Sequence, residues 1–545
     1  MPVVTLYLQR LEKLVGGKAT SSKIISSLPF LGLDIEEETK EYVRVEYSPN
    51  RPDYATDVGI AAGLQGLFGT KKGLEKISIK KSDKSSLIKT DVAVKKIRPY
   101  VCGIIAKNGK LDNETIKQLI ALQEDLHFGV GRRRKKASVG IHDLDAISLP
   151  LTYTAVSRDH KFVPLTMSET MSADQILAKT SVGNDYGKLL GNQPKVPMIL
   201  DAKQNTISFP PIINSALTTV TTKTTNLLVE VTGTDKNSTE DMLAVVATTL
   251  QGLGFTLYDL KSDSKSSSGI FKTKPIILDP DLVNQTLGLK LAPPVICNML
   301  KKCRLDAVTK GKKIICAIPR FRFDIFGPMD LVEEVALGYG IQNLIPSLPA
   351  SASVGQKNTV TKRLDHLGHI MVGFGFTEAL NSSLTSKRIL YDATKRDSSG
   401  VIEVSESKSL EYTILRDTLL PGLLENLSRN IHESYPQKLF ELGTVFSDDS
   451  PIKESISLAC ISAHKDTAFT EIKAVLQSLL KTDSNIECRT KTSTNPIFAN
   501  GKTADIIIGD KKVGIIGEVD SGVIENFKIR VPVSGFEIIL SDFAF

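Results

Sequence analysis

No C-x-x-C pair occurs anywhere in the chain, and its six cysteines, Cys102, Cys297, Cys303, Cys316, Cys460 and Cys488, are scattered. That spacing supports neither a zinc ribbon nor a disulfide framework, and it fits a reducing cytoplasm. No apolar run is long enough to span a bilayer. The opening MPVVTLYLQRLEKLVGG lacks the basic stretch and long apolar core of a signal peptide. A membrane is therefore not expected among the partners. There is no P-loop or comparable glycine-rich phosphate cradle, which argues against a magnesium-dependent phosphoryl-transfer enzyme. No internal repeat recurs at solenoid periods.

What is present is a long globular chain. Its 545 residues exceed one hydrophobic core and imply roughly three to five domains. Hydrophobic residues make up 41% and charged residues 24%, and the net charge of +7 is a mild basic excess compatible with an RNA partner. The fold class expected is α+β multidomain, in four segments. Residues 1–90 form an N-terminal α+β domain in which Asp57 looks like the N-cap of a helix and 70–90, rich in Lys and Ser, looks like a linker or exposed edge. Residues 91–265 mix β-branched strands with amphipathic helices. Residues 270–348 contain two helices, a strand pair and a final helix, a winged-helix-like unit. Residues 357–545 alternate helices with strands in a largely antiparallel sheet.

Several phrases, in order, carry a resemblance: SPNRPDYATDVGIAAGL, GRRRKKASVGIHDLD, FPPIINS, PRFRFDIFGPMDLVEEVALGYG, LRDTLLPGLLENLSRN and KLFELGTVF. Together they resemble the phenylalanyl-tRNA synthetase beta subunits of archaeal and eukaryotic type, over nearly the whole length. The resemblance implies a heterotetramer of two alpha and two beta chains that joins phenylalanine to tRNA using ATP and magnesium (Mg2+). It places the aminoacylation site in the alpha chain. It gives the beta chain assembly, RNA contacts and hydrolytic editing of mischarged tyrosyl-tRNA. The segment 91–265 would then be the editing (B3/B4-like) domain, 270–348 a B5-like domain and 357–545 a class II synthetase-like domain. In that last domain Glu441 is present, but Leu439 stands where an active class II site needs an Arg. A non-catalytic scaffold follows. A free-standing tRNA-binding or editing module without an alpha partner is the alternative.

Within 91–265 the candidate editing residues are Asn214 with Ser215, Glu230, Thr232 and Asp235. Asn214 and Glu230 would orient water or substrate, and Asp235 would accept from a tyrosine hydroxyl. The basic loop Arg132, Arg133, Arg134, Lys135 and Lys136 would meet the tRNA backbone. Each has a plainer reading: Asn214 as a turn residue, Glu230 as a strand-face charge, Asp235 as a helix cap, and the loop as solvated surface. Ser138 and His142 do not suggest a catalytic pair. His366 and His369 lie at i, i+3 without a third ligand near them. Asp324, Asp330, Glu333 and Glu334 form an acidic group over a strand end and a helix start. Asp330 and Glu333 match a capping box. The resemblance implies magnesium there, so a metal site and a cap with subunit ion pairs both stand.

Overall fold

The computed structural model describes residues 2–17, 19–263, 266–348, 354–407 and 409–542, which fall into two compact units, Met1–Leu348 and Pro349–Phe545. Both mix helices and sheets. The first three expected segments pack into the first unit.

The first unit starts with a three-stranded antiparallel sheet, Val3–Tyr7, Tyr42–Glu46 and Asp34–Glu38, with Tyr42–Glu46 central. The helix Asp57–Phe68 packs nearby. Its N-cap is Thr56, whose hydroxyl accepts from Gly59 N at 3.3 Å, not the expected Asp57. Asp57 is buried instead, its N–H donating to Gln118 Oε1 at 3.1 Å. A Cβ on Gly59 would lie 1.6 Å from Asp53 O, so the helix can sit on the turn of NRPD only because position 59 is glycine.

The large sheet of this unit has ten strands among the described residues. Its path runs Ile213–Asn214, Thr206–Phe209, Lys195–Leu200, Leu151–Ser157, Leu87–Thr90, Thr256–Ser262, Tyr100–Lys107, Leu227–Gly233 and Ala137–Asp143, with Ile79–Lys80 beside Thr256–Ser262. The stretch expected as a linker thus supplies the middle strand. Leu87–Thr90 runs parallel to both of its neighbours and joins the two halves of the sheet. The signal for it was small: one apolar pair, Leu87 and Ile88, among lysines and serines. Ile88 is fully buried between the halves. Helices Asn113–Phe128 and Lys236–Gly252 lie against the strands of the second half.

The remainder of the first unit is a three-stranded sheet, Lys274–Leu278, Lys313–Ile318 and Asp306–Lys310, with helices Pro280–Leu287, Pro293–Lys302 and Pro328–Tyr339 around one apolar core. The stretch KKIICAIPRFRFDI, strand-like throughout by its residues, is a strand only as far as Ile318, and residues 319–326 form turns.

The second unit holds a seven-stranded sheet in the order Thr377–Glu378, Gln437–Ser447, Lys453–Ala463, Val533–Ile539, Lys511–Val519, Phe498–Ile508 and Arg489–Thr492. All neighbours are antiparallel except the first pair. The period-two alternation divides the side chains. Phe440, Leu458, Cys460, Phe536 and Ile538 pack with helices Thr359–Gly373 and Phe469–Ser484, while Val445, Ala459, Ile461 and Val533 pack with Leu420–Arg429.

Because Ile88 is the buried side chain of the joining strand, Ile88→Ala is expected to lower unfolding stability by about 2–5 kcal/mol, measured by denaturant titration. A change within about 0.5 kcal/mol, the range of surface substitutions, would show that the strand does not join the halves.

Candidate functional site

The two ends of the nine-strand path approach each other. Asn214 lies on the first strand and Gly140 on the last, yet a Cβ on Gly140 would stand 3.2 Å from Asn214 Oδ1. Between these ends is a cavity of about 500 Å³, the size range of small-ligand sites. Its walls are mostly apolar: Ile116, Leu119 and Ile120 from the helix Asn113–Phe128, and Phe209, Pro210 and Ile213 opposite.

The polar groups gather on its floor. Glu230 pairs with Gly140 across adjacent antiparallel strands, and His142, two residues on, shares their face. His142 is fully buried and Glu230 is 2% exposed. His142 Nδ1 is 2.8 Å from Thr218 Oγ1, and its Nε2 is 3.8 Å from Glu230 Oε1, too long for a hydrogen bond. His142 Nε2 and Glu230 Oε2 are buried without a hydrogen-bond partner. A Cβ on Gly140 would lie 2.6 Å from both Glu230 Oε1 and His142 Nε2, so glycine keeps the space over the pair open. At one side Asn214 Oδ1 accepts from Ser208 Oγ at 3.1 Å.

Two buried arginines hold this floor. Arg98 donates to Thr232 Oγ1 at 3.0 Å, Thr232 O at 2.8 Å, Ser138 Oγ at 3.1 Å and Arg134 O at 3.2 Å. Burial pushes its guanidinium down to about 10. Arg134 donates to Ile212 O at 2.9 Å and Pro211 O at 3.2 Å on one wall, and to Glu124 at 3.0 Å and 3.2 Å on another. Its guanidinium also lies 4.3 Å from the centre of the Tyr186 ring. The basic loop is therefore not uniformly solvated. Arg132, Arg133, Lys135 and Lys136 are exposed, and Arg134 is part of the pocket wall.

Asn214 and Glu230 thus meet in one cavity. Thr232 is fully buried beneath it on Arg98, and Ser215 caps a short turn by accepting from Leu217 N at 3.3 Å. Asp235 does not reach the cavity. It caps the helix Lys236–Gly252 by accepting from Ser238 N at 2.8 Å, a backbone hydrogen bond that lowers its carboxyl below the usual range. Ser138 does not pair with His142; its hydroxyl faces Arg98 and Thr232. His142 itself was missed as a site residue. Its signal, a histidine two positions after a glycine on a strand, acquires meaning only when Leu227–Gly233 pairs alongside.

The acidic group near 330 does not assemble into one cluster. Arg322, its side chain 2% exposed, pairs with Asp324 at 2.6 Å and with Glu334 at 2.5 Å. Burial raises the Asp324 carboxyl, but Arg322 outweighs it and holds the group below the ordinary carboxylate range. Asp330 stands three residues inside the helix Pro328–Tyr339, not at its N-cap, and accepts from Phe326 N at 2.7 Å and Gly327 N at 2.8 Å. Glu333 is exposed. Among the described residues no group of three or more His, Cys, Asp or Glu side chains is placed to hold a metal ion. The magnesium site expected from Asp324, Asp330, Glu333 and Glu334 does not fit, because Arg322 draws Asp324 and Glu334 to itself, two backbone amides hold Asp330 Oδ2, and Glu333 faces outward, so the four do not converge. His369 Nδ1 faces Asp365 O at 2.6 Å and His366 Nε2 lies 3.7 Å from Asp483, so these histidines do not converge either.

Residues 344–540 match the family model described as phenylalanyl tRNA synthetase beta chain CLM domain, and 276–341 match the tRNA synthetase B5 domain. The chain is 36% identical over 549 residues to the phenylalanine–tRNA ligase beta subunit of Archaeoglobus fulgidus, covering 100% of this chain and 99% of that one. It is 36% identical over 551 residues to the same subunit of Methanocaldococcus jannaschii, covering 99% and 100%. The chain belongs to the phenylalanine–tRNA ligase beta subunits. A solved N-terminal fragment of the beta subunit from Pyrococcus horikoshii is similar in fold, with TM-score 0.58 and 30% identity over 62% of this chain and 99% of the fragment.

In this beta subunit the second unit also neutralises its charges internally. Glu441, fully buried, pairs with Arg416 at 2.6 Å and accepts from Asn381 Nδ2 at 2.7 Å. Leu439 joins the apolar layer under Leu420–Arg429. No helix among the described residues is long and apolar enough to cross a membrane.

Two outcomes test this charge arrangement. Arg322→Met leaves Asp324 and Glu334 without their cation and is expected to destabilise the first unit by about 3–5 kcal/mol, read by chemical denaturation; an unchanged midpoint would show that the ion pair is not structural. For the pocket wall, burial raises the Glu124 carboxyl, but His127 and Arg134 outweigh it and hold it at about 2, against 4.5 for the free group. Its contribution is full above pH 4.5 and is lost as pH falls toward 2. Glu124→Gln should therefore flatten the acid limb of a melting-temperature profile in that window and leave its slope at neutral pH as in wild type.

Proposed function

We propose that the cavity between Asn214 and Gly140 is a hydrolytic editing site for tyrosyl-tRNA, within residues 91–265. The observation that carries this is Glu230, which lines a pocket with mostly apolar walls and whose Oε2 is buried without a hydrogen-bond partner, with the equally unpartnered His142 Nε2 3.8 Å from its Oε1. A tyrosine side chain satisfies both requirements of such a space. Its ring fills the apolar walls, and its hydroxyl donates to Glu230 Oε2 beside His142. Phenylalanine fills the walls and leaves the floor unpaired. A synthetic site that must reject an added hydroxyl discriminates only by about a hundredfold, whereas a site built to bind that hydroxyl rejects the analogue lacking it by about 10⁴-fold. Editing therefore belongs in a second pocket of this kind.

The chemistry asked of the pocket is modest. Water adds to the ester carbonyl, the bond from carbonyl carbon to ribose oxygen breaks, and the ribose oxygen takes the proton. The ester is already reactive, so orienting it and a water supplies much of the rate. Asn214, at the opening opposite Gly140, has the amide to orient either one. Glu230 takes the role expected of Asp235. The exposed Arg132, Arg133, Lys135 and Lys136 meet the tRNA phosphates, and Arg134 positions the wall.

Around this site we infer a B5-like winged-helix domain over 270–348 and a class II synthetase-like, non-catalytic domain over 357–545. The seven-stranded, largely antiparallel order, with Leu439 in the apolar layer and Glu441 neutralised by Arg416, supports a scaffold. The partner is then an alpha chain, two of each forming a heterotetramer in the cytoplasm, with ATP and Mg2+ used at the alpha chain's site. A free-standing editing module is not favoured, because the relatives extend over the full chain as ligase subunits.

In the assembled enzyme, Glu230→Gln is expected to slow tyrosyl-tRNA deacylation about thirtyfold, as the loss of a hydrogen bond to a charged group predicts, while phenylalanine charging persists. Wild-type deacylation by both Glu230→Gln and His142→Ala would remove the pocket as the editing site.

A further inference from the structure

The basic turn is built in an unusual conformation. Arg132, Arg133 and Arg134 have φ of 50°, 52° and 64°, three consecutive non-glycine residues in the left-handed region. L-residues enter that region as single residues, and glycine or asparagine does so at least strain. The turn persists because its surroundings fix it. Arg134 N donates to His127 O at 3.0 Å and Lys136 N to Gly131 O at 2.8 Å, while the Arg134 carbonyl accepts from Arg98. The Arg134 side chain is tied to the pocket wall at Pro211, Ile212 and Glu124. Strain held by so many contacts points to a use for what the turn presents.

What it presents is chemically specific. With Arg134 turned inward, Arg132 and Arg133 face outward. The Arg133 guanidinium lies 5.0 Å from the ring centre of Phe128, and Phe128 is nevertheless 60% exposed. Phe128 follows His127 and stands one helical turn beyond Glu124, and both of those residues line the cavity. Ile120, 56% exposed, lines it from the same helix. Lys135 and Lys136 are exposed next to the pair. An exposed aromatic ring beside an arginine plane, among cations of one sign, matches how proteins hold unpaired nucleotides. Bases stack on the ring or the guanidinium, and cations meet the phosphates.

We propose that Phe128 and Arg133 form a stacking platform for an unpaired base of the aminoacyl-RNA, set beside the cavity by the left-handed turn. The platform deepens the editing assignment and rests on it. It binds through the π-face of the base and so tolerates any base, while the cavity reads the amino acid. The turn joins the two, because the same three residues place Arg133 on the platform and Arg134 in the wall.

The experiment uses the assembled enzyme and two substrates, tyrosyl-tRNA and tyrosine methyl ester, which has no base. Phe128→Ala is expected to raise KM for tyrosyl-tRNA deacylation about tenfold and to leave the ratio of kcat/KM on the methyl ester to wild type near one. Phe128→Trp, which keeps a stacking face, should retain the wild-type KM. Phe128→Leu, which keeps apolar bulk without that face, should behave as Phe128→Ala. A wild-type KM in Phe128→Ala overturns the platform, and so does a wild-type KM in Phe128→Leu, which would make the contact merely apolar. Loss of co-purification with the alpha chain in Phe128→Ala, at unchanged KM, also overturns it and assigns Phe128 to a protein interface. Glu230→Gln and His142→Ala run in parallel separate the two ideas: if both edit at the wild-type rate the pocket assignment fails, whereas slow editing by Glu230→Gln with wild-type Phe128→Ala removes the platform alone.

Discussion

Arg134 joins parts of the chain that the strand path places at opposite ends. The first strand of the path ends near Asn214 and the last begins at Ala137, and nothing in the ladder itself brings these ends together. The Arg134 guanidinium does so, donating to Pro211 O and Ile212 O on one side and to Glu124 on the other. Its own carbonyl accepts from Arg98, which in turn grips Thr232 and Ser138 under the floor. The Arg134 fork is held through Nη1 and Nη2, while its Nε is buried without a partner. Here that geometry also fixes the spacing between the two walls of the cavity, and with it the position of Glu230 relative to Asn214.

The same principle governs charge elsewhere in the molecule. Arg322 takes Asp324 and Glu334, and Arg416 takes Glu441. Each is an interior arginine that neutralises carboxylates which, read along the chain, invite a metal or a catalytic role. Against these, His142 Nε2 and Glu230 Oε2 are buried without a hydrogen-bond partner and lie on neighbouring side chains. Buried polar atoms without partners are rare in folded proteins because each forfeits its hydration. Glu230 lines the cavity, and in the proposed editing reading a ligand hydroxyl completes its hydrogen bonding.

Local sequence signals gave the helices and most long strands. The amphipathic spacing of NETIKQLIALQEDLHF gives Asn113–Phe128, and KLFELGTVF lies inside the strand Gln437–Ser447. Asn214 and Glu230 were legible as polar residues in apolar surroundings, and both line the cavity. The errors have physical causes. Thr56 displaced Asp57 as a cap because Asp57 was drawn into the interior. Asp330 moved from cap to third helical position because the helix begins earlier, at Pro328. Leu87–Thr90 was obscured because a short strand buried by one isoleucine has almost no periodicity to detect.

By itself the sequence determined what depends on neighbours along the chain: the order of the segments, the amphipathic elements, the absence of a cysteine framework, and the motif order that marks a ligase beta subunit. The tertiary structure alone decided what depends on partners far apart. His142 meets Glu230 across 88 residues, Arg134 meets Ile212 across 78, and Arg98 meets Thr232 across 134. A carboxylate's role is set by whichever cation or amide reaches it first in space. Asp324 and Glu334 became structural and Glu230 remained available because Arg322 reaches the first two and no donor of the chain fills the space that Gly140 keeps open over the third.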